Sequence, residues 1–235
     1  MHKIEMSPDV LDRIKGLRDG FHIFGNIDPS RTAHLIVDLQ NGFMEPGATV
    51  ELPVAREIVP NVNKICEAVR AAGGINVFIR YLIDEATQVS WSSWFTDFAS
   101  PQRRKAMIET FGKDCHGFAL WPELDVQATD LIVDKTRFGA FVPGSSELHE
   151  ILQARGIDTL IITGTATNVC CDSTARDAMQ MNYKVIFVAD GNAAMTDAEH
   201  NATLNNMVTL FADLMTTNEV VGILESAAAI GQAAA

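Results

Sequence analysis

Three polar side chains stand at the ends of apolar runs, where a reaction could be assembled. Cys170 follows the turn Gly164-Thr-Ala-Thr167, just after the run Thr159-Leu-Ile-Ile-Thr163. Asp38 ends Ala33-His-Leu-Ile-Val37, and Lys135 ends Asp130-Leu-Ile-Val-Asp134. A cysteine thiolate attacks electrophilic carbon. An aspartate can take the thiol proton and later deliver it to a leaving nitrogen, while a lysine keeps the aspartate ionised and draws the thiol toward thiolate. The run before Cys170, the glycine turn and the spacing of Val169, Thr174, Ala175 and Ala178 read as strand, turn and helix. Cys170 then sits near a helix start, whose unpaired N–H groups and dipole favour thiolate by roughly 0.3–1 kcal/mol, up to about 2 when partly buried. Backbone N–H groups of the 165–170 turn could also cradle a developing oxyanion. Each residue alone has an ordinary reading: a turn-forming aspartate, a solvated Asp134–Lys135 pair, a small buried cysteine. Their occurrence at equivalent strand ends favours catalysis.

The elements that must position these residues alternate along the chain. Strands are expected over 33–39, 76–83, 130–135, 159–163, 184–189 and 212–216. Helices are expected over 58–72, around 102–109, over 147–154, from 168 onward, over 197–211 and over 220–229. Gln40 to Gly47 reads as a long polar loop, and Asp190-Gly191 ends the fifth strand. Such alternation implies an α/β fold with a parallel sheet covered on both faces, and ligands then sit beyond the carboxyl ends of the strands. Ser7-Pro8-Asp9 starts an additional helix that Gly20 closes. Residues 1–30 therefore form a helical arm, packed either on its own domain or on a neighbouring subunit, and residues 31–235 form a single domain. Residues 84–128 carry seven of the seventeen aromatics. That segment reads as an inserted flap or a subunit contact, with packing beneath a loop as the ordinary alternative. The alanine-rich tail is expected to fray.

Composition narrows the function. The 235 residues are 47% hydrophobic with a formal charge of −12, which argues against nucleic acid and anionic membranes as partners. No apolar run approaches the roughly 20 residues that span a bilayer, and the first residues lack the apolar core of a secretory leader. Cys66, Cys115, Cys170 and Cys171 show no CxxC spacing, and the six histidines are scattered without ligand spacing. Free thiols in a cytoplasmic protein are the expectation.

Three stretches together resemble the cysteine hydrolases of the isochorismatase-like superfamily. They are Leu35-Ile-Val-Asp38-Leu-Gln-Asn-Gly-Phe43, Asp134-Lys135 with Phe138-Gly-Ala-Phe141, and Thr163-Gly-Thr-Ala-Thr-Asn-Val-Cys170-Cys-Asp-Ser-Thr-Ala-Arg-Asp-Ala178. The resemblance covers roughly residues 31–215. It implies a Rossmann-like, three-layer αβα fold around a six-stranded parallel sheet, and an Asp38, Lys135, Cys170 triad. It further implies a cis peptide at Thr165–Ala166, which aims the Ala166 and Cys170 amides into an oxyanion hole, and a Cys171 turned into helix packing.

Members that hydrolyse nicotinamide carry an Asp-x-His metal site after the second strand. Here the place reads Arg80-Tyr-Leu-Ile-Asp84-Glu85, so no metal and no other cofactor is expected. True isochorismatases lack the cysteine. The sequence looks most like ureidoacrylate, biuret/triuret and N-carbamoyl-amine hydrolases, and cleavage of the C–N bond in a small linear amide or ureide is the expected activity. Gln40, Asn41 and Asn168 are candidate substrate hydrogen-bonders. Phe43, Tyr81, Trp91, Trp94, Phe138 and Phe141 are candidate cavity walls. A homo-oligomer, dimer or tetramer, is expected. The alternatives are a nicotinamidase- or maleamate-type amidase, an isochorismatase, and a thiol sensor or binding protein on the same fold.

Overall fold

Near-continuous apolar runs make strands that are buried on both faces. The chain lays down six: β1 (Thr32–Val37), β2 (Ile75–Tyr81), β3 (Leu131–Lys135), β4 (Thr159–Thr165), β5 (Lys184–Ala193) and β6 (Asp213–Met215). In the computed structural model they form one sheet, ordered β3-β2-β1-β4-β5-β6, with every pairing parallel. The structure describes residues 1–233, with side chains through residue 229. Helix α1 (Pro8–Leu17) precedes the sheet. Between β1 and β2 lie α2 (Asn41–Met44), α3 (Val54–Glu57) and α4 (Val59–Ala72); between β2 and β3 lie α5 (Glu85–Ser90) and α6 (Pro101–Phe111). Helices α7 (Leu148–Ala154), α8 (Asp172–Gln180) and α9 (Asp197–Asn206) make the later crossovers, and α10 (Thr217–Ala233) closes the chain.

Side-chain alternation along β1 sorts the core into two layers. Leu35 and Val37 face Leu152 of α7, Ala175 of α8 and Leu204 of α9. Ile36 faces Val62 and Cys66 of α4, and on the same side Ile161 and Ile186 meet Ile65 of α4 and Leu224 of α10. This is the three-layer αβα fold the resemblance implies. Strand order reverses between β1 and β4, so the crevice for a ligand opens at their carboxyl ends.

Several expectations change at the level of elements. The stretch expected as a polar loop after β1 contains the helical turn α2, all four residues of which are buried. Strand β5 runs through Asp190-Gly191 to Ala193, because the Asn192 amide donates to Ile162 O at 3.0 Å and Val188 O at 2.7 Å across an irregularity in the β4–β5 register. The helix after β4 starts as a wide turn over Thr167–Cys171 and becomes α8 only at Asp172. Ser7 does precede α1, but its side chain caps nothing, and the helix stops at Arg18, ahead of Gly20. Val10 and Ile14 of α1 enter the chain's own core, and Glu5 and Ser7 donate backbone N–H bonds to Asn201 and Asn205 around α9. The segment 84–128 is largely helical and sends Phe95, Met107 and Phe111 into the second core layer. The alanine-rich tail is helical to Ala233; residues 234 and 235, which that expectation also covered, lie outside the described residues. No helix of the described residues is long and apolar enough to cross a membrane.

Candidate active site

Asp38 leaves β1 in the left-handed region, at φ 53°. Aspartate tolerates this better than most residues, yet such a conformation persists only where neighbours enforce it. Here Asp38 N–H donates to Ile79 O at 2.9 Å, and Gln40 N–H donates to Asp38 O at 2.9 Å. The Gln40 amide clamps the same corner, donating to Tyr81 O at 3.1 Å and Phe118 O at 2.9 Å and accepting from Tyr81 N–H at 2.7 Å. Both of its N–H donors are thereby used, so Gln40 braces the strand end; the expectation that it contacts substrate does not fit this geometry.

Lys135 ends β3, opposite Tyr81 of β2. Its stem crosses the end of β2, passing the ammonium 4.9 Å from the Tyr81 ring centroid, and reaches Asp38 Oδ2 at 2.7 Å. The ammonium also donates to Arg137 O at 3.1 Å. Both members of this ion pair are fully buried. Asp38 Oδ1 has no hydrogen-bond partner.

Cys170 approaches the pair from β4. Close contact between strands makes this possible: Gly164 has φ +125°, and a Cβ there would lie 2.1 Å from Val37 O. No other residue can bring β4 so near the end of β1. The Thr165–Ala166 peptide is cis. Ala166 O accepts from Val169 N–H at 3.0 Å and Cys171 N–H at 3.2 Å, which coils the turn beneath the cysteine. Thr167 fastens it from behind, its hydroxyl bonding His200 Nδ1 at 2.9 Å, while His200 Nε2–H donates to Ala189 O at 3.0 Å. Burial, aided by the charge of nearby His2, lowers the His200 pKa to about 4, so the ring is neutral and serves both bonds. Sequence reasoning passed over this histidine because only tertiary structure sets it against Thr167.

Electrostatics at the three residues are dominated by burial. It raises the Cys170 thiol above its ordinary value; Lys135 pulls the other way, and Asp38 adds to the rise. Lys135 favours the thiolate, as expected, but desolvation of the sulfur outweighs that pull, and the net shift is upward, toward the thiol. Burial likewise raises the Asp38 carboxyl, against the opposing pull of Lys135. Burial works against the Lys135 ammonium, but the Asp38 carboxylate bonded to it pulls the other way, and the net shift of the ammonium is upward, toward the charged form. The site thus places a thiol whose pKa is raised beside a carboxyl group of increased basicity.

A cavity of about 440 Å³ opens above Cys170. Of the expected contacts, Phe43, Tyr81, Trp94, Phe138 and Asn168 line it, as do Ala166 and Cys170. Four do not. Asn41 donates to His116 O at 3.1 Å, below the surface of the excursion. Gln40 is the brace already described. Trp91 stands behind the wall, its ring 4.8 Å from that of Phe138. Phe141 packs 5.5 Å from Tyr183, within the first core layer. Val50, Met107, Arg103, Met195 and Glu199 also line the cavity. They come from loops and from α6 and α9, whose approach no local pattern announces. Cys171 is fully buried in the core. Among the described residues, no group of three His, Cys, Asp or Glu side chains could hold a metal ion.

Known proteins share this architecture. A cysteine hydrolase from Pseudomonas syringae pv. phaseolicola superposes with a TM-score of 0.76 at 28% identity, covering 89% of this chain and 99% of that one. The ureidoacrylate amidohydrolase RutB of Agrobacterium fabrum is 30% identical over 217 residues, 87% of this chain and 94% of its own length. The isochorismatase family protein YwoC of Bacillus subtilis is 32% identical over 195 residues, 83% and 94% of the two chains. Residues 32–219, from the start of β1 into α10, match the model described as the isochorismatase domain. Sheet order, strand-end residues and this match over most of the sequence agree, and the chain belongs to the isochorismatase family.

Proposed function

We propose that the protein is a cysteine-dependent amidohydrolase that cleaves the C–N bond of a small linear amide or ureide. The observation that carries this reading is the buried Lys135–Asp38 pair, bonded at 2.7 Å, beside a Cys170 that lines an open cavity. Relatives named as amidohydrolases support the same class of bond.

The mechanism follows from the protonation states. Cys170 starts as a thiol. As its sulfur bonds to the substrate carbonyl carbon, the S–H proton passes to Asp38, through the oxygen that has no other partner. The carbonyl oxygen becomes an oxyanion and accepts from the Ala166 and Cys170 N–H groups. Asp38 then protonates the leaving nitrogen, the C–N bond breaks, and ammonia or an amine departs. Water attacks the resulting thioester or carbamoyl thioester and gives a proton to Asp38. The C–S bond breaks, and the proton returns to sulfur. Lys135 keeps Asp38 oriented and stops it from resting protonated.

The test is ammonia release across ureidoacrylate, biuret, triuret, carbamoyl amino acids, maleamate and nicotinamide. Turnover of a linear ureide or amide, abolished in Cys170→Ala and largely kept in Cys171→Ala, is expected. Full activity in Cys170→Ala, or loss only in Cys171→Ala, would overturn the assignment.

A further inference from the structure

Two residues that line the cavity carry buried side-chain donors that no described residue satisfies. Tyr81 is fully buried and lines the cavity beside Cys170, and its hydroxyl has no partner. Trp94 lines it as well, and its indole N–H is also buried and unpartnered. Native interiors seldom leave such groups unpaired, and an unpaired donor in a ligand cavity points to a bond completed by the ligand. The other unpaired buried groups fall elsewhere: Trp121, Asn41, Asn192 and Arg18 do not line this cavity, and Asp38 Oδ1 is the proton acceptor of the mechanism.

Packing prevents either group from swinging to an internal partner. The Tyr81 ring is held against Phe111, with centroids 5.4 Å apart, and beneath the Lys135 ammonium at 4.9 Å. Trp94 is stacked on Trp91 at 5.8 Å and set edgewise to Phe138 at 5.2 Å. Burial raises the phenol's pKa, and the neighbouring Asp38 carboxylate raises it further, so the hydroxyl keeps its proton. Around these two donors the walls include Phe43, Leu52, Met107 and Phe138, which offer a ligand no side-chain hydrogen bonds.

We infer that Tyr81 and Trp94 are substrate-recognition residues whose hydroxyl and indole N–H hydrogen-bond the ureide, so that the cavity selects compounds with a second acceptor oxygen over alkyl ureas of the same length. The inference rests on the amidohydrolase reading for which end of the ligand meets Cys170. An indole N–H only donates, so its partner must be an acceptor, a carbonyl or carboxylate oxygen. The phenol can bond either a carbonyl oxygen or an N–H of the same ligand.

The experiment measures binding without turnover. In Cys170→Ala protein, calorimetry compares biuret with n-propylurea, which share one carbamoyl end; the second carbamoyl group of biuret is replaced by an alkyl group with the same number of heavy atoms. Biuret is expected to bind at least about tenfold more tightly, the value of one net hydrogen bond. Adding Tyr81→Phe or Trp94→Phe removes about tenfold of that preference and leaves n-propylurea nearly unchanged. Tyr81→Phe also melts no lower than its parent, since the hydroxyl bonds nothing in the empty protein. Biuret binding no tighter than n-propylurea, or a preference that survives both substitutions, overturns the inference. So does a Tyr81→Phe protein that weakens both ligands equally while melting lower, which is the mark of a packing role. If the preference holds but wild-type protein hydrolyses no amide, the hydrolase reading fails and the recognition stands; if hydrolysis occurs without the preference, the reverse is true.

Discussion

Replacing Lys135 by methionine tests the buried ion pair directly. The change keeps the length of the apolar stem and removes the charged group at its end. Asp38 Oδ2 then loses its 2.7 Å partner, while Oδ1 already has none. Both residues are fully buried, so solvent does not screen the loss. Removing one member of such a pair costs about 3–5 kcal/mol, a large share of a typical total stability of about 5–15 kcal/mol. The carboxyl can escape part of this by keeping a proton. Burial already raises its pKa, and loss of the ammonium raises it further. A folded-state pKa above the unfolded value means that the folded protein holds the extra proton. The Asp38 contribution is therefore favourable at low pH and is lost as pH rises from the unfolded value through the folded one. Lys135→Met should lie nearest the wild type near pH 5 and lose the most near pH 8. Asp38→Asn with Lys135→Met has no charge to bury and should recover at least about 2 kcal/mol of the loss. Urea unfolding of the three proteins at the two pH values gives each number. A single variant that costs under about 1 kcal/mol, or a double variant as unstable as the single, would show that the Lys135–Asp38 pair does not hold a buried charge in place.

Three further outcomes are expected. Gly164→Ala, whose Cβ would lie 2.1 Å from Val37 O at φ +125°, should lose at least about 3 kcal/mol, whereas Gly144→Ala, at φ +76° in open space, should lose only about 1; equal losses in thermal melts would remove the close-approach argument. Burial lowers the His34 pKa to about 3, so this residue's stability contribution, about 5 kcal/mol, is present above the unfolded value near 6.5 and is lost as pH falls toward 3. His34→Gln should flatten the acid limb of the stability profile by nearly one proton, and parallel profiles for the two proteins would contradict this. Finally, incubation with EDTA should leave hydrolysis unchanged; activity lost to EDTA and restored by zinc would show that a metal takes part.

Much of this was legible in the linear chain. Alternating apolar runs and helical spacing point to a parallel αβα sheet, because burial on two faces writes itself into local patterns. Asp38, Lys135 and Cys170 could be singled out because each ends such a run, and the ends of parallel strands gather at one edge. Element limits were less legible. The extension of β5 to Ala193 depends on Asn192 bonding carbonyls on two strands, and α2 is a buried turn in a stretch that is locally polar.

The ionisation of the site and the identity of its walls belong to tertiary structure alone. Residue types near Cys170 argue for a thiolate, yet packing strips water from the sulfur, and that loss outweighs the neighbouring charge. The same holds for the cavity. Gln40 and Phe141 sit in stretches that resemble the family as closely as Phe43 and Phe138 do, but hydrogen bonds to Tyr81 and Phe118 hold the first as a brace, and the other packs on Tyr183 in the core. Sequence by itself determined which elements form and which chemical groups stand at their ends, because those depend on local spacing. Which of these groups are dry, charged or open to a ligand was decided only by the fold, because desolvation and approach are set by neighbours far away along the chain.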